Sequence, residues 1–192
     1  MHRPGQYCER SIALFLSGFI ADIWIMAYPL IITLELETKI KEHFTNLRKI
    51  HFPKHSNYLD AHLTLFHRLP SDISVIAETL KELAVRPVLC LEVNAVISLG
   101  NGVAFTLVSH ELQQMHLKMQ EAFEPWLIRQ DRKILRPHIT IQNKVTAFKA
   151  KCLQEKLQAS FRPYTIKATG FNTWHYLGGP RKAAMSYAFC GG

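Results

Sequence analysis

A chain of 192 residues, 48% hydrophobic and 20% charged, has the make-up of one sizeable globular domain or two small fused lobes. That composition excludes a disordered, collagen-like or low-complexity protein. A formal net charge of +8 and a sequence pI of about 9.4 favour an anionic partner, nucleic acid or a phosphorylated small molecule, or else mark a merely basic surface, since no lysine or arginine block concentrates the charge.

Residues 11–27, SIALFLSGFIADIWIMA, are apolar apart from small residues and Asp22. The stretch is short for a membrane span, and a central Asp costs about 2.5–3.5 kcal/mol on insertion. Arg3 and Arg10 suit a signal peptide, but IMA before Tyr28 lacks the small residue expected ahead of a cleavage site. We read residues 1–25 as an extension upstream of a start at Met26, with signal peptide or anchor as the alternative. Removing them leaves the net charge at +8.

LIITLEL (30–36) predicts a strand, and Ile40, Phe44, Leu47 and Ile50 predict a helix over 38–50. DAHLTLFHRL (60–69) predicts a second strand. SDISVIAETLKELA (71–84) predicts a helix opened by a Ser/Asp cap, and VLCLEVNAVISL (88–99) a long strand. GNG at 100–102 is a hairpin-type turn into the strand VAFTLV (103–108). A helix over 110–124 carries Leu112, Met115, Met119 and Phe123, and Pro125 ends it. The strand HITIQNKV (138–145), a helix over 146–161, the strand YTIKATGFNTWHYL (164–177), a GGP turn and a last strand KAAMSYAFC complete the chain.

The second half repeats the first at offsets of 73 to 76 residues, measured between Thr33 and Thr106, His62 and His138, Ser71 and Thr146, and Val88 and Tyr164. The expected fold is therefore α+β. It has two pseudo-symmetric β-α-β-α-β lobes, roughly 26–99 and 100–192, with mainly antiparallel sheets around a central cleft. The scattered cysteines Cys8, Cys90, Cys152 and Cys190 form no C-x-x-C pair. They read as reduced thiols in a cytoplasmic protein and argue against a zinc site.

Two stretches carry chemistry. AHLTLFHRL places His62 and Thr64 two residues apart in an apolar strand, and RPHITIQNK places His138 and Thr140 in the same way. Residues i and i+2 of a strand share a face, so each His and Thr point together while Leu63, Leu65, Ile139 and Ile141 point to the core. About 0.6 His-x-Thr triplets are expected by chance from 10 His and 11 Thr. A third, His43–Thr45, sits on the first helix without the strand context. The retained pair share flanking residues and position in the repeat. A twofold relation would bring two imidazoles and two hydroxyls to one ligand. One neutral imidazole can activate water while one imidazolium protonates a leaving oxygen, and threonine hydroxyls can donate to phosphate oxygens. No metal is required, since no carboxylate cluster surrounds the histidines. The alternative is a pair of half-buried structural histidines.

H-x-T-apolar, twice, in a basic chain of this length resembles the 2H phosphoesterase superfamily. YLDAHLTLFHRLP and RPHITIQNKV resemble its bacterial 2′–5′ RNA ligase-like branch, over about Met26 to the C-terminus. The resemblance implies two lobes around a water-filled cleft. It implies hydrolysis of 2′,3′-cyclic phosphates or reversible 2′–5′ ligation, with His62, Thr64, His138 and Thr140 as the motif residues.

Continuing the alternation places Phe66, to stack on a base, and Gln142 on the motif face, with Arg136 and Lys144 beyond if that strand extends so far. Trp174 and Tyr176 alternate on a strand that could line the cleft, while His67, His116 and the remaining histidines read as surface or structural. The expected protein is a cytoplasmic phosphoesterase of RNA ends or cyclic nucleotides. It has no cofactor, no metal and no stable membrane association; the alternative is a non-catalytic module that binds RNA or a phosphate ligand in the same cleft.

Overall fold

A computed structural model describes residues 28–191, so the reading of residues 1–25 and of Cys8 lies outside the described residues. Strands β1 (Leu30–Leu36), β2 (Leu63–Leu69), β3 (Leu89–Ser98), β4 (Val103–Val108), β5 (His138–Gln142), β6 (Tyr164–Tyr176) and β7 (Arg181–Ala188) form one antiparallel sheet. Four helices accompany it: α1 (Thr38–His51), α2 (Ser74–Ala84), α3 (His110–Phe123) and α4 (Ala147–Ser160). The predicted α+β fold is present, with each element within a few residues of its expected bounds.

The sheet order is β2-β1-β6-β3-β4-β5, with β7 also paired to β6. The order is symmetric about its middle: β2, β1 and β6 mirror β5, β4 and β3. The third strand of each repeat is thus exchanged. β3 follows the first repeat in sequence but pairs with β4, and β6 pairs with β1. The spatial halves therefore do not coincide with residues 26–99 and 100–192. The sheet curls so that its edge strands β2 and β5 come into contact.

Alternation sets the core. Leu30, Ile32, Leu34 and Leu36 of β1 are at most 8% exposed, and join Leu89, Leu91 and Val93 of β3 beneath the helices. Leu112, Met115, Met119 and Phe123 form the buried stripe of α3, as predicted. In α1 the stripe is rotated: Phe44, Thr45 and Arg48 are buried, and Ile50 is exposed. Ser71 and Asp72 do not cap α2, which starts at Ser74 without a side-chain cap. Ser109 and Thr146 do cap, accepting from Leu112 and Lys149. Pro125 lies in a short 3₁₀ turn that ends α3.

Both motif strands carry a bulge at the same place in the repeat. Ile32 faces Phe66 while Thr33 faces Thr64, leaving Leu65 as an extra residue. Val103 faces Gln142 while Ala104 faces Thr140, leaving Ile141 extra. A bulge puts two consecutive side chains on one face. Leu65 and Phe66 are both buried, as are Ile141 and Gln142.

No helix among the described residues is long and apolar enough to cross a membrane. Cys90, Cys152 and Cys190 are free and exposed.

Candidate functional site

The curled sheet brings the two motifs together. His62 immediately precedes β2 and His138 opens β5, and both rings are half-buried. Each makes the same local bond: His62 Nδ1 lies 2.7 Å from the Asp60 carbonyl oxygen, and His138 Nδ1 lies 2.9 Å from that of Arg136. A carbonyl only accepts, so Nδ1 carries the hydrogen in both rings. Each Nε2 is left to take or give a proton.

The loops that supply these carbonyls are held by the first helix of each repeat. From α1, Thr45 Oγ1 accepts from the Ala61 amide at 3.0 Å and Arg48 Nε donates to the Leu59 carbonyl at 3.2 Å. From α3, Gln113 Nε2 donates to the Leu135 carbonyl, and Gln120 Nε2 to those of Asp131 and Lys133. The same helices reach across to the opposite motif strand. Arg48 donates to the Thr140 carbonyl at 2.7 Å, and His116 Nε2 donates to the Leu65 carbonyl at 3.2 Å. His116 is buried and stacks on Phe66 at 4.6 Å.

Each motif histidine lines a cavity. The smaller, about 270 Å³, is lined by His62, Arg181, Tyr58, Trp174, Glu35 and Lys41. The larger, about 1150 Å³, is lined by Thr64, His138 and Arg136 among others. Trp174 Nε1 donates to Thr33 Oγ1 at 2.8 Å, which fixes the indole against the smaller cavity. Lys41 and Glu35 form an ion pair at 2.9 Å on the same wall.

The surroundings are cationic. Arg48 is 5% exposed and has no carboxylate partner among the described residues; it bonds carbonyls and lies over the Phe52 ring. Arg181, at the start of β7, has a buried Nε without a hydrogen-bond partner. Burial lowers the affinity of both guanidiniums for their protons from the ordinary range, though arginine stays charged. His62 is pushed down to about 4, first by loss of water and then by the charge of Arg181, with Arg48 and His138 adding to it; the bond to the Asp60 carbonyl opposes the shift. At neutral pH His62 is therefore uncharged. A neutral imidazole beside partnerless cations can accept a proton while an anion is held. Among the described residues no three His, Cys, Asp or Glu side chains cluster as ligands for a metal ion.

Thr64 and His138 share the larger cavity with Arg136, His62 lies close enough to feel the charge of His138, and Thr140 follows on the half-buried side of β5 without lining either cavity. Three expected contacts fall elsewhere. Phe66 is fully buried against His116 and Phe123, because the β2 bulge turns it to the core. Gln142 is turned inward by the β5 bulge and donates to the His51 carbonyl at 3.4 Å. Lys144 lies past the end of β5 in a left-handed turn at φ 58° and is exposed. Trp174 does line a cavity; Tyr176 is 40% exposed at the end of β6. Arg48 and Arg181 carried no local signal. One looks like a charge on an amphipathic helix, the other like a residue in a turn.

A model of the 2'-5' RNA ligase superfamily matches residues 36–180. Among solved structures, TT0787 of Thermus thermophilus is similar at 13% identity and TM-score 0.61, over 85% of this chain and 98% of that one. E. coli LigT complexed with 3'-AMP is similar at 17% identity and TM-score 0.52, over 84% and 98%. A phosphoesterase is similar at 17% and 0.52, over 85% and 98%. No curated relative matches the chain. At these identities the structures speak for the fold, and the family match spans three quarters of the sequence.

Proposed function

The chain belongs to the 2'-5' RNA ligase superfamily, and from that premise we propose that it is a metal-independent phosphoesterase that opens 2′,3′-cyclic phosphates of RNA ends or nucleotides. The observation that carries this reading is the matched pair of imidazoles. Each is anchored through Nδ1 to a carbonyl two residues back, each lines a cavity, and neither Nε2 is bonded among the described residues.

His62, neutral at physiological pH, takes a proton from water as the water oxygen bonds to phosphorus. One P–O bond to the ribose breaks, and the leaving oxygen takes a proton from Nε2 of a charged His138. Thr64 and Thr140 donate hydroxyl hydrogens to the non-bridging oxygens, where charge grows in the transition state. Arg181 and Arg48 favour the anion over the smaller cavity. The same cations repel a divalent metal, which supports acid–base roles for the histidines and not ligation. With the hydroxyl of a second RNA end replacing water, His62 takes the proton of that hydroxyl and His138 protonates the leaving ribose oxygen, giving a 2′–5′ ligation; in the reverse reaction the two histidines exchange roles. The 3'-AMP in E. coli LigT is a ligand of the size and charge this cleft would admit.

The test is turnover of a nucleoside 2′,3′-cyclic phosphate in excess chelator. We expect one ring-opened nucleotide per substrate consumed. Tight binding of the cyclic nucleotide without turnover would replace this reading with that of a binding module.

A further inference from the structure

The β2 bulge that buries Phe66 also turns His67 outward, onto the wall of the larger cavity with Thr64 and His138. His67 is held there by an unusual partner. Asp131, from the loop between α3 and β5, has a side chain only 1% exposed, and its Oδ1 lies 2.8 Å from His67 Nδ1. Its Oδ2 accepts from the amides of His67 at 2.9 Å and Arg68 at 3.3 Å. Oδ2 alone satisfies the free edge of β2. Oδ1 is committed to orienting an imidazole that is 43% exposed, and whose position the core does not require. The other nitrogen, Nε2, sits at the rim and accepts from Gln130 Nε2 at 3.1 Å; a ring that takes a second proton beside Asp131 turns Nε2 into a donor, which joins the Gln130 N–H groups in facing an anion.

The same loop is basic. Arg132 is spent on Glu124 and the Leu127 carbonyl. Arg129, Lys133 and Arg136 line the cavity with no acidic partner among the described residues. Ile134, 79% exposed between them, offers an apolar surface to a base. Thr64 and His67 stand three residues apart along β2, about 10 Å in a regular strand and less across the bulge between them. They are spaced to grip neighbouring phosphates of an extended strand.

We propose that His67, oriented by Asp131, binds the phosphate next to the one held between the two motif histidines, so that the larger cavity reads an oligonucleotide and the protein prefers the end of an RNA chain to a free cyclic nucleotide. The proposal rests on the reading of the site as one that takes cyclic phosphates, and it names the residue that sets substrate length.

The experiment compares a nucleoside 2′,3′-cyclic phosphate with a trinucleotide ending in the same cyclic nucleotide, in wild type, His67→Ala and Lys133→Ala. Binding of 3'-AMP and of a trinucleotide with a 3'-phosphate is measured in parallel by calorimetry. Wild type should favour the trinucleotide, and His67→Ala should cut the trinucleotide-to-mononucleotide ratio of kcat/KM by roughly fivefold or more. Lys133→Ala, on the loop surface, should lower the same ratio and flatten the salt dependence for the trinucleotide. Equal losses on both substrates, or a wild type without a length preference, would overturn the proposal. If neither substrate turns over, the reading of the activity fails on its own account. Binding then decides: a trinucleotide preference lost in His67→Ala supports the second phosphate contact, and an equal affinity for both ligands refutes it.

Discussion

Acidification tests the assignment of His62 as the proton acceptor. Its imidazole lies at about 4 in the fold against 6.5 in an unperturbed chain, because burial strips its water and Arg181, Arg48 and His138 add positive charge. Between these values the unfolded chain takes up a proton that the native state refuses. The contribution to stability is therefore full above 6.5 and is lost as pH falls through the interval toward 4. At about 1.4 kcal/mol per pH unit the gap corresponds to about 3 kcal/mol. Water screening of a half-buried ring reduces this to roughly 1–2 kcal/mol. Urea unfolding from about pH 7.5 to about pH 4.5 should cost wild type that much more than His62→Gln, which cannot titrate there. Catalysis follows the same sign: a base that stays neutral to about 4 places the acid limb of kcat/KM well below that of an ordinary imidazole. Arg181→Gln should raise the limb and the NMR titration midpoint of His62 by about half a pH unit, because burial, the larger cause, remains. A wild-type His62 titrating near 6.5, or a midpoint indifferent to Arg181→Gln, would refute the reasoning.

Other expectations follow from the same site. His62→Ala and His138→Ala should each lower kcat by roughly 10²–10⁴-fold with circular dichroism unchanged, since acid and base act in one step. Thr64→Val and Thr140→Val should each remove about 1–3 kcal/mol of transition-state stabilisation and leave the shape of the pH profile as it was. Activity should persist in excess chelator; loss that a single divalent metal restores would make the histidines ligands. Arg48→Ala should destabilise the fold by roughly 2–4 kcal/mol in denaturant, because the Leu59 and Thr140 carbonyls lose their donors and the helix loses a buried side chain. Arg48→Ala should also slow turnover in the folded fraction, since the loop before His62 is released.

The His-x-Thr pairs were legible because strand alternation is local: His62 and Thr64, or His138 and Thr140, share a face whatever the rest of the chain does. Extending the same rule by one more step failed at Phe66 and at Gln142, since a bulge is a property of two paired strands and leaves no mark in one. The duplication was visible in the offsets, but not the exchange of β3 and β6, which depends on which edges meet. Ile50 fitted a helical stripe that tertiary packing rotated onto Thr45 and Arg48, a polar and a charged residue that pattern reading assigns to water. Arg181 became part of the site only because β7 folds back on β6 beside the loop that carries His62. Asp131 and His67 are 64 residues apart, and their pairing is a tertiary contact without local trace.

The strand exchange also orders events in time. β6 occupies the middle of the sheet between β1 and β3, yet it is the sixth in chain order of the seven strands among the described residues. Until residue 176 has left the ribosome, β1 and β3 each present an open edge, and neither repeat can close on itself. The nascent chain must hold two half-sheets apart, with their apolar faces only partly covered, and then admit a thirteen-residue strand into the gap. Closure of so distant a pairing carries a large entropic penalty and makes folding slow. Chains truncated before Tyr164 would keep both edges bare and should aggregate, while a chain ending just after β6 has joined its two half-sheets and lacks only the β7 pairing.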